Sequence, residues 1–265
     1  MAGLKDTTIA TGYKSLLRVD DNSGVGSSSL RVSDGEGNVT SLKVSEDVLQ
    51  VIPKDTDGSC FEVYSKDSEI LLRVNSTNDY VTVLDHYVNT QYAYFGNNSG
   101  ETSSNAAGYH YPLVFQGGMG TTGVAVGDQP NHFGNGSDPA TTFTTADATD
   151  QKAFVLIRYM MYVPDNISVD AVYSLEGADA ATGDTTRFHL MSYTFTSGST
   201  SCLTSGTLVA HSSDTTNAGS EQVYYNNWTI DSEDITAGKV LICTFESDSV
   251  NSDYTYQAII KYHLT

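Results

Sequence analysis

The sequence predicts an all-β protein: a short-strand repeat shaft or small β domain at the N-terminus, then a C-terminal β-sandwich knob of jelly-roll type. Three observations carry that expectation. Only 17% of the 265 residues are charged, whereas Gly (23) and Tyr (17) are abundant, the profile of strands joined by polar turns. A short apolar-polar unit recurs through the first 90 residues. After residue 151, longer stretches alternate apolar and polar positions again, with turn residues between them.

In residues 1–90 the unit reads Leu17-Arg18-Val19-Asp20, Leu30-Arg31-Val32-Ser33, Leu42-Lys43-Val44-Ser45 and Leu72-Arg73-Val74-Asn75, with Phe61-Glu62-Val63-Tyr64 as a looser copy. Each is half of a period-2 strand, with one apolar face and little depth. Polar turn material such as Asp34-Gly35-Glu36-Gly37-Asn38 and Asn75-Ser76-Thr77-Asn78-Asp79 separates the copies. Strands this short cannot bury their own Leu and Val side chains, and short strand repeats solve that by stacking on neighbours or on copies from other chains. A homotrimer interface is therefore expected at Leu17, Val19, Leu30, Val32, Leu42, Val44, Leu72 and Val74. The alternative is an ordinary small β domain packed on the rest of the chain.

Residues 91–151 read as a connecting and interface segment rich in Gly, Ser, Thr and Asn, interrupted by extended pieces at 112–116 and 123–126. Its aromatic clusters, Tyr92, Tyr94 and Phe95 with Tyr109-His110-Tyr111, are expected to pack at a junction or interface. Residues 152–265 then supply seven expected strands: 152–163, 169–175, 186–195, 207–211, 221–230, 239–246 and 254–264. In the last of these Tyr254, Tyr256, Ala258, Ile260, Tyr262 and Leu264 share one face, which predicts a sheet with one buried and one wetter side. Ala153-Phe154-Val155-Leu156-Ile157 is apolar on both faces, so a central strand or one covered by another subunit is expected, with a carboxylate or carbonyl partner for the adjoining Arg158.

The length suffices for one large or two ordinary domains. The 13 Lys and Arg stand against 32 Asp and Glu, a net charge of −19, which argues against nucleic acid and against an anionic membrane surface. The opening Met1 to Thr7 has no apolar signal core and no stretch approaches a membrane span, so folding in the cytoplasm of the producing cell is expected. Cys60, Cys202 and Cys243 are far apart and without metal-ligand spacing, which reads as small packed thiols.

Motifs for chemistry are sparse, and neither an enzyme, a cofactor nor a metal is expected. No G-x-S-x-G elbow occurs, and His86, His110, His132, His189, His211 and His263 show no metal-binding spacing. Asp55-Thr56-Asp57-Gly58 begins like a calcium loop, but Lys66 stands where the bidentate Glu belongs, so a turn is the better reading. Asp231-Ser232-Glu233-Asp234 reads as a solvated acidic loop, and the Gly117 to Gly123 run lacks the ending of a phosphate loop. Tyr224, Tyr225 and Trp228, beside Asn226 and Asn227, form a candidate glycan-binding group, because aromatic faces next to amides hold sugar rings. Strand alternation divides these residues between two faces, which points instead to core or subunit contact.

The opening Thr8 to Asp21, the Asp34 to Asn38 turn with the shaft-like repeats, and Asp234 to Leu241 with the terminal strand together resemble virion surface proteins of tailed bacteriophages. The resemblance covers both ends of the chain through loose motifs. It implies a non-enzymatic homotrimer located on the virion, with its N-terminal part attached to the particle and a distal β knob. Two members of that class compete. One is the capsid decoration protein (cement or head fibre), whose partner is the major capsid protein; the other is the tail fibre, whose partners are tail proteins and a host surface receptor. About 90 residues of repeat at ~3.3 Å rise, folded back many times, make only a short stalk, which favours decoration.

Overall fold

The computed structural model describes residues 18–19, 27–33, 38–97, 107–116, 132–143, 152–179, 182–219, 222–249 and 253–265. The chain is all-β and divides into two compact units, Met1–Val88 and Asn89–Thr265.

The N-terminal unit holds two antiparallel meanders, each of four short strands in sequence order. The first comprises β1 (Arg18–Val19), β2 (Leu30–Ser33), β3 (Val39–Val44) and β4 (Leu49–Val51). The second comprises β5 (Phe61–Tyr64), β6 (Ile70–Asn75), β7 (Tyr80–Val83) and β8 (His86–Tyr87). Polar side chains close the turns: the Asn75 carboxamide oxygen accepts from the Thr77 and Asn78 amides between β6 and β7.

The C-terminal unit is built from β9 (Gln91–Asn97), β10 (Tyr111–Pro112), β11 (Val114–Phe115), helix α1 (Ala153–Leu156), β12 (Met161–Tyr162), β13 (Ile167–Asp179) and β14 (Thr185–Thr194). It continues with β15 (Thr204–His211), β16 (Thr215–Thr216), β17 (Gln222–Asn227), β18 (Thr229–Ile230), β19 (Asp234–Ile235), β20 (Lys239–Ser247) and β21 (Asp253–Leu264). One antiparallel sheet runs β11-β9-β21-β13-β17, with β19 on β13; the other runs β10-β20-β14-β15-β18, with β12 on β20 and β16 on β14.

The two sheets share one apolar core, a sandwich-like arrangement. Phe95, Val172, Ala258 and Ile260 enter it from the first sheet, and Phe188, Leu190, Leu241 and Phe245 from the second. Tyr256 of β21 ties the layers, with its ring 4.8 Å from both Phe188 and Phe245. Each such side chain contributes about 1.5–3 kcal/mol relative to exposure. The expected face of β21 holds from Tyr254 to Tyr262, all buried, while Leu264 at its end is exposed.

Two expectations are corrected here. Ala153 to Ile157 is not a central strand: α1 runs into a 3-10 turn, Ile157–Tyr159. A short apolar run lacks the period that separates strand from helix. The helical turns send Leu156 and Tyr159 onto the outer face of the seven-stranded sheet and leave Phe154 and Ile157 exposed. Arg158 is exposed, so no buried partner is required. With Phe133, Met191, Tyr193, Leu203, Val240 and Ile242, these residues form a second core, so β14 and β20 are covered on both faces.

The second correction concerns residues 91–151, read as a connecting segment, with a knob beginning at 152. The C-terminal unit begins at Asn89, and β9 lies beside β21 in its sheet, with Ala93 opposite Ile260 and Phe95 opposite Ala258. Aromatics on both phases of β9 hide its alternation: Ala93 and Phe95 are buried, Tyr92 and Tyr94 exposed. Gly96 permits this pairing, because a Cβ there would meet the Tyr256 carbonyl oxygen at 2.8 Å. Of the expected extended pieces, 112–116 holds part of β10 and all of β11, and 123–126 lies outside the described residues.

Candidate functional site

The repeats of the N-terminal unit become faces once strand register is applied. In the second meander Phe61 pairs with Val74 and Val74 with Val81, while Val63 pairs with Leu72 and Leu72 with Val83. Those six side chains therefore share one side of the sheet. The opposite side carries Glu62, Arg73 and Thr82, with an Arg73 Nε to Glu62 Oε1 ion pair of 2.8 Å. The Tyr64 hydroxyl and Arg73 both hold the Glu62 carboxyl below its usual range. In the first meander Leu30 pairs with Val44 and Val44 with Leu49, and Leu42 pairs with Val51, again on one side.

These apolar faces are at most half-buried among the described residues. No described apolar side chain of the unit is buried; its buried residues are Ser33, Asn75 and Thr82. Among the expected interface residues, Leu30, Val32, Val44, Leu72 and Val74 are half-buried and Leu42 is exposed. Leu17 lies outside the described residues, and Val19 is described only by its backbone pairing with Val32. Phe61, Val63, Val81, Val83, Leu49 and Val51 complete the faces. The looser fifth repeat signalled the first two, while Val81 and Val83 showed the same alternation in Tyr80-Val81-Thr82-Val83 without matching the repeat.

The glycan-binding group is divided by the fold. Trp228 is 5% exposed in the sandwich core, against Phe188, and its Nε1 donates to Ser174 Oγ at 2.8 Å. Tyr224 is half-buried, its hydroxyl bonded to Gln222 and accepting from the Ala218 amide. Tyr225 points outward, 63% exposed and stacked on Tyr173, whose ring centroid is 6.1 Å away. On that same outer side of the six-stranded sheet, Tyr173 pairs with Ile259 and Ile259 with Tyr94. Tyr92 lies two residues from Tyr94 on the same side, so Tyr92, Tyr94, Tyr173 and Tyr225 present an aromatic sheet face; the sequence singles out Tyr92 and Tyr94 as junction or interface residues and Tyr225 as a glycan candidate, and gives no sign of Tyr173.

Two buried polar clusters lie in the C-terminal unit. His110 and His189 meet edge-to-face at 4.8 Å, with His110 Nε2 2.9 Å from the Gly136 carbonyl and His189 Nε2 3.5 Å from Asp138 Oδ1. Burial pushes the His110 pKa down and takes His189 down to about 3, helped by the neighbouring His110. His189 is therefore neutral near pH 7 and is not poised as a general base there. Glu176, buried on β13, accepts from Ser174 Oγ at 2.6 Å and from Asn226 Nδ2 at 2.9 Å. Nearby, burial and then the charges of Tyr254, Glu176 and Asp184 hold the Tyr256 phenol well above its ordinary range. Burial likewise raises the Cys243 thiol, so it stays protonated. Among the described residues no three His, Cys, Asp or Glu side chains gather as metal ligands.

No protein-family model matches the chain, and no curated protein matches it in sequence.

Proposed function

We propose that this protein is a non-enzymatic structural component of a bacteriophage virion: a homotrimeric capsid decoration protein that binds the major capsid protein through its N-terminal part and carries the C-terminal unit outward as a jelly-roll-like knob. The observation that supports self-association is the apolar face of each N-terminal meander, none of whose described side chains is buried. A face of Phe, Val and Leu side chains in water is a liability that a second copy removes at about 25 cal/mol per Å² of area covered. The virion assignment rests on the sequence resemblance. Charge supports the orientation: residues 1–90 carry 8 of the 13 basic residues at net −6, while the rest of the chain, at net −13, is better left in solvent.

Light scattering of the full chain at micromolar concentration should give three times the monomer mass, and Leu42→Asp or Leu72→Asp should return it to one. A monomeric wild type overturns the reading. Sedimentation with undecorated capsids then tests the partner: the full chain should co-sediment, and deletion of residues 1–30 should weaken it.

The exposed aromatic face of Tyr92, Tyr94, Tyr173 and Tyr225 favours one second reading, a tail fibre that binds a host receptor, with glycan as the ligand class. Binding to tails but not to capsids, with glycan capture lost in Tyr225→Ala, would replace decoration with that function.

A further inference from the structure

A small cavity lies at one end of the sandwich, between β13, β14 and β21, bordered by Glu176, Asp184, Thr186, Asn217, Tyr254 and Tyr256. It offers about 10 Å³ to the centre of a water-sized sphere, room for a single atom-sized occupant. Its walls hold more polar capacity than they satisfy. Asn217 is 4% exposed and both atoms of its carboxamide lack a partner; Tyr256 is 3% exposed and its hydroxyl lacks one too. Glu176, also 3% exposed, has one oxygen served by Ser174 and Asn226, while the other receives only Thr186 Oγ1 at 3.5 Å. Among the described residues no Lys, Arg or His pairs with Glu176. Asp184 adds a second carboxylate, which accepts from the Tyr254 hydroxyl at 2.9 Å.

One water would satisfy the partnerless amide and hydroxyl, yet it would leave a buried carboxylate without a counter-charge, a costly state. A cation supplies that counter-charge and takes the Asn217 Oδ1 and the Tyr256 hydroxyl oxygen as ligands, leaving only the Asn217 Nδ2 without an acceptor. The donors are all oxygen, from carboxylate, amide and hydroxyl groups, which are the ligands of hard ions; softer metals select sulfur and imidazole. Two carboxylates balance a divalent charge. We propose that this cavity binds one Ca2+ ion, held by the Glu176 and Asp184 carboxylates and the Asn217 amide oxygen, with the tyrosine hydroxyls beside it. The ion would pin β13 and β21 to the Asp184 and Asn217 segments that flank β14 and β16.

The probe is Tb3+, whose emission is sensitised by nearby tyrosine, added to the EDTA-treated full chain in 0.15 M NaCl with excess Mg2+ to occupy surface acids. Tyrosine-excited emission should saturate at one ion per chain, be displaced by Ca2+, and require at least tenfold more ion in Glu176→Gln. Ca2+ should also raise the thermal midpoint of the C-terminal unit in the wild type. No saturable site in the folded wild type, or unchanged affinity in a folded Glu176→Gln, overturns the proposal and leaves the cavity to water. Should Glu176→Gln not fold, Asp184→Asn carries the same comparison, and the wild-type titration decides by itself whether a site exists.

Discussion

The two units are written in the same strand alphabet and end in opposite states. In the N-terminal unit, strands of at most six residues present Leu, Val and Phe on one side, and none of the described ones is buried. In the C-terminal unit, strands of up to 13 residues place apolar side chains in two cores, and Phe95, Phe188, Leu190 and Phe245 are 0% exposed. Alternation specifies a face; it does not specify what covers that face. Covering needs a second layer, which β13 and β21 are long enough to meet and the short meanders are not.

The sharpest way to break that contrast is to separate the units. A fragment of residues 89–265 should melt cooperatively at any concentration, whereas residues 1–88 should show no transition as a monomer and gain one only as copies associate. A concentration-independent transition in monomeric 1–88, followed by circular dichroism, would erase the distinction. A fragment beginning at 152 should fail to fold: it lacks Phe95, Leu113 and Phe133, each 0% exposed, and bares the edge of β21 that β9 covers.

Single truncations sharpen the contrast further. Phe245→Ala empties the centre of the sandwich and should cost about 3–5 kcal/mol. Val63→Ala, on a face where no described apolar side chain is buried, should leave the denaturation midpoint of the monomeric chain unchanged to within about 0.5 kcal/mol. Chemical denaturation of each variant checks the pair.

Acid gives the most graded effect. His110 and His189 are buried neutral, so below their ordinary pKa of 6.5 the unfolded chain takes up protons that the folded unit refuses. Their contribution to stability is thus flat above pH 6.5 and falls as pH drops, toward about 3 for His189, by up to about 1.4 kcal/mol per pH unit for each histidine. The N-terminal unit has no such buried pair among its described residues. Thermal midpoints of 89–265 between pH 7 and 4 should show the slope, and His189→Gln should flatten it; an equal slope in that variant would count against the burial argument.

Much of this architecture was legible in the sequence, and the misses have physical causes. The all-β class and strands β13, β14, β20 and β21 follow from period-2 patterning over long runs. β9 escaped because Tyr92 and Tyr94 make its solvent side look as apolar as its core side, and α1 escaped because five apolar residues carry no period. The repeat residues did collect on shared faces, since Leu-x-Val puts both side chains on one side of any strand. The aromatic face and the Glu176 cavity were beyond reach: Tyr94, Tyr173 and Tyr225 are neighbours only through the register of four strands, and Glu176 meets Asn217 only through tertiary packing.

The position of β21 between β9 and β13 also sets an order of events. During synthesis β9 leaves the ribosome first in its unit and β21 last, yet each completes the other's hydrogen bonding, with Ala93 opposite Ile260 across most of the unit's length. The sheet therefore cannot close until β21 has been made, and pairings so distant in sequence are slow to form. The N-terminal meanders meanwhile emerge early with their apolar faces bare. If the meanders associate as proposed, polysome-bound chains would offer matching faces to one another before the C-terminal unit is complete, and assembly would begin on the translating message.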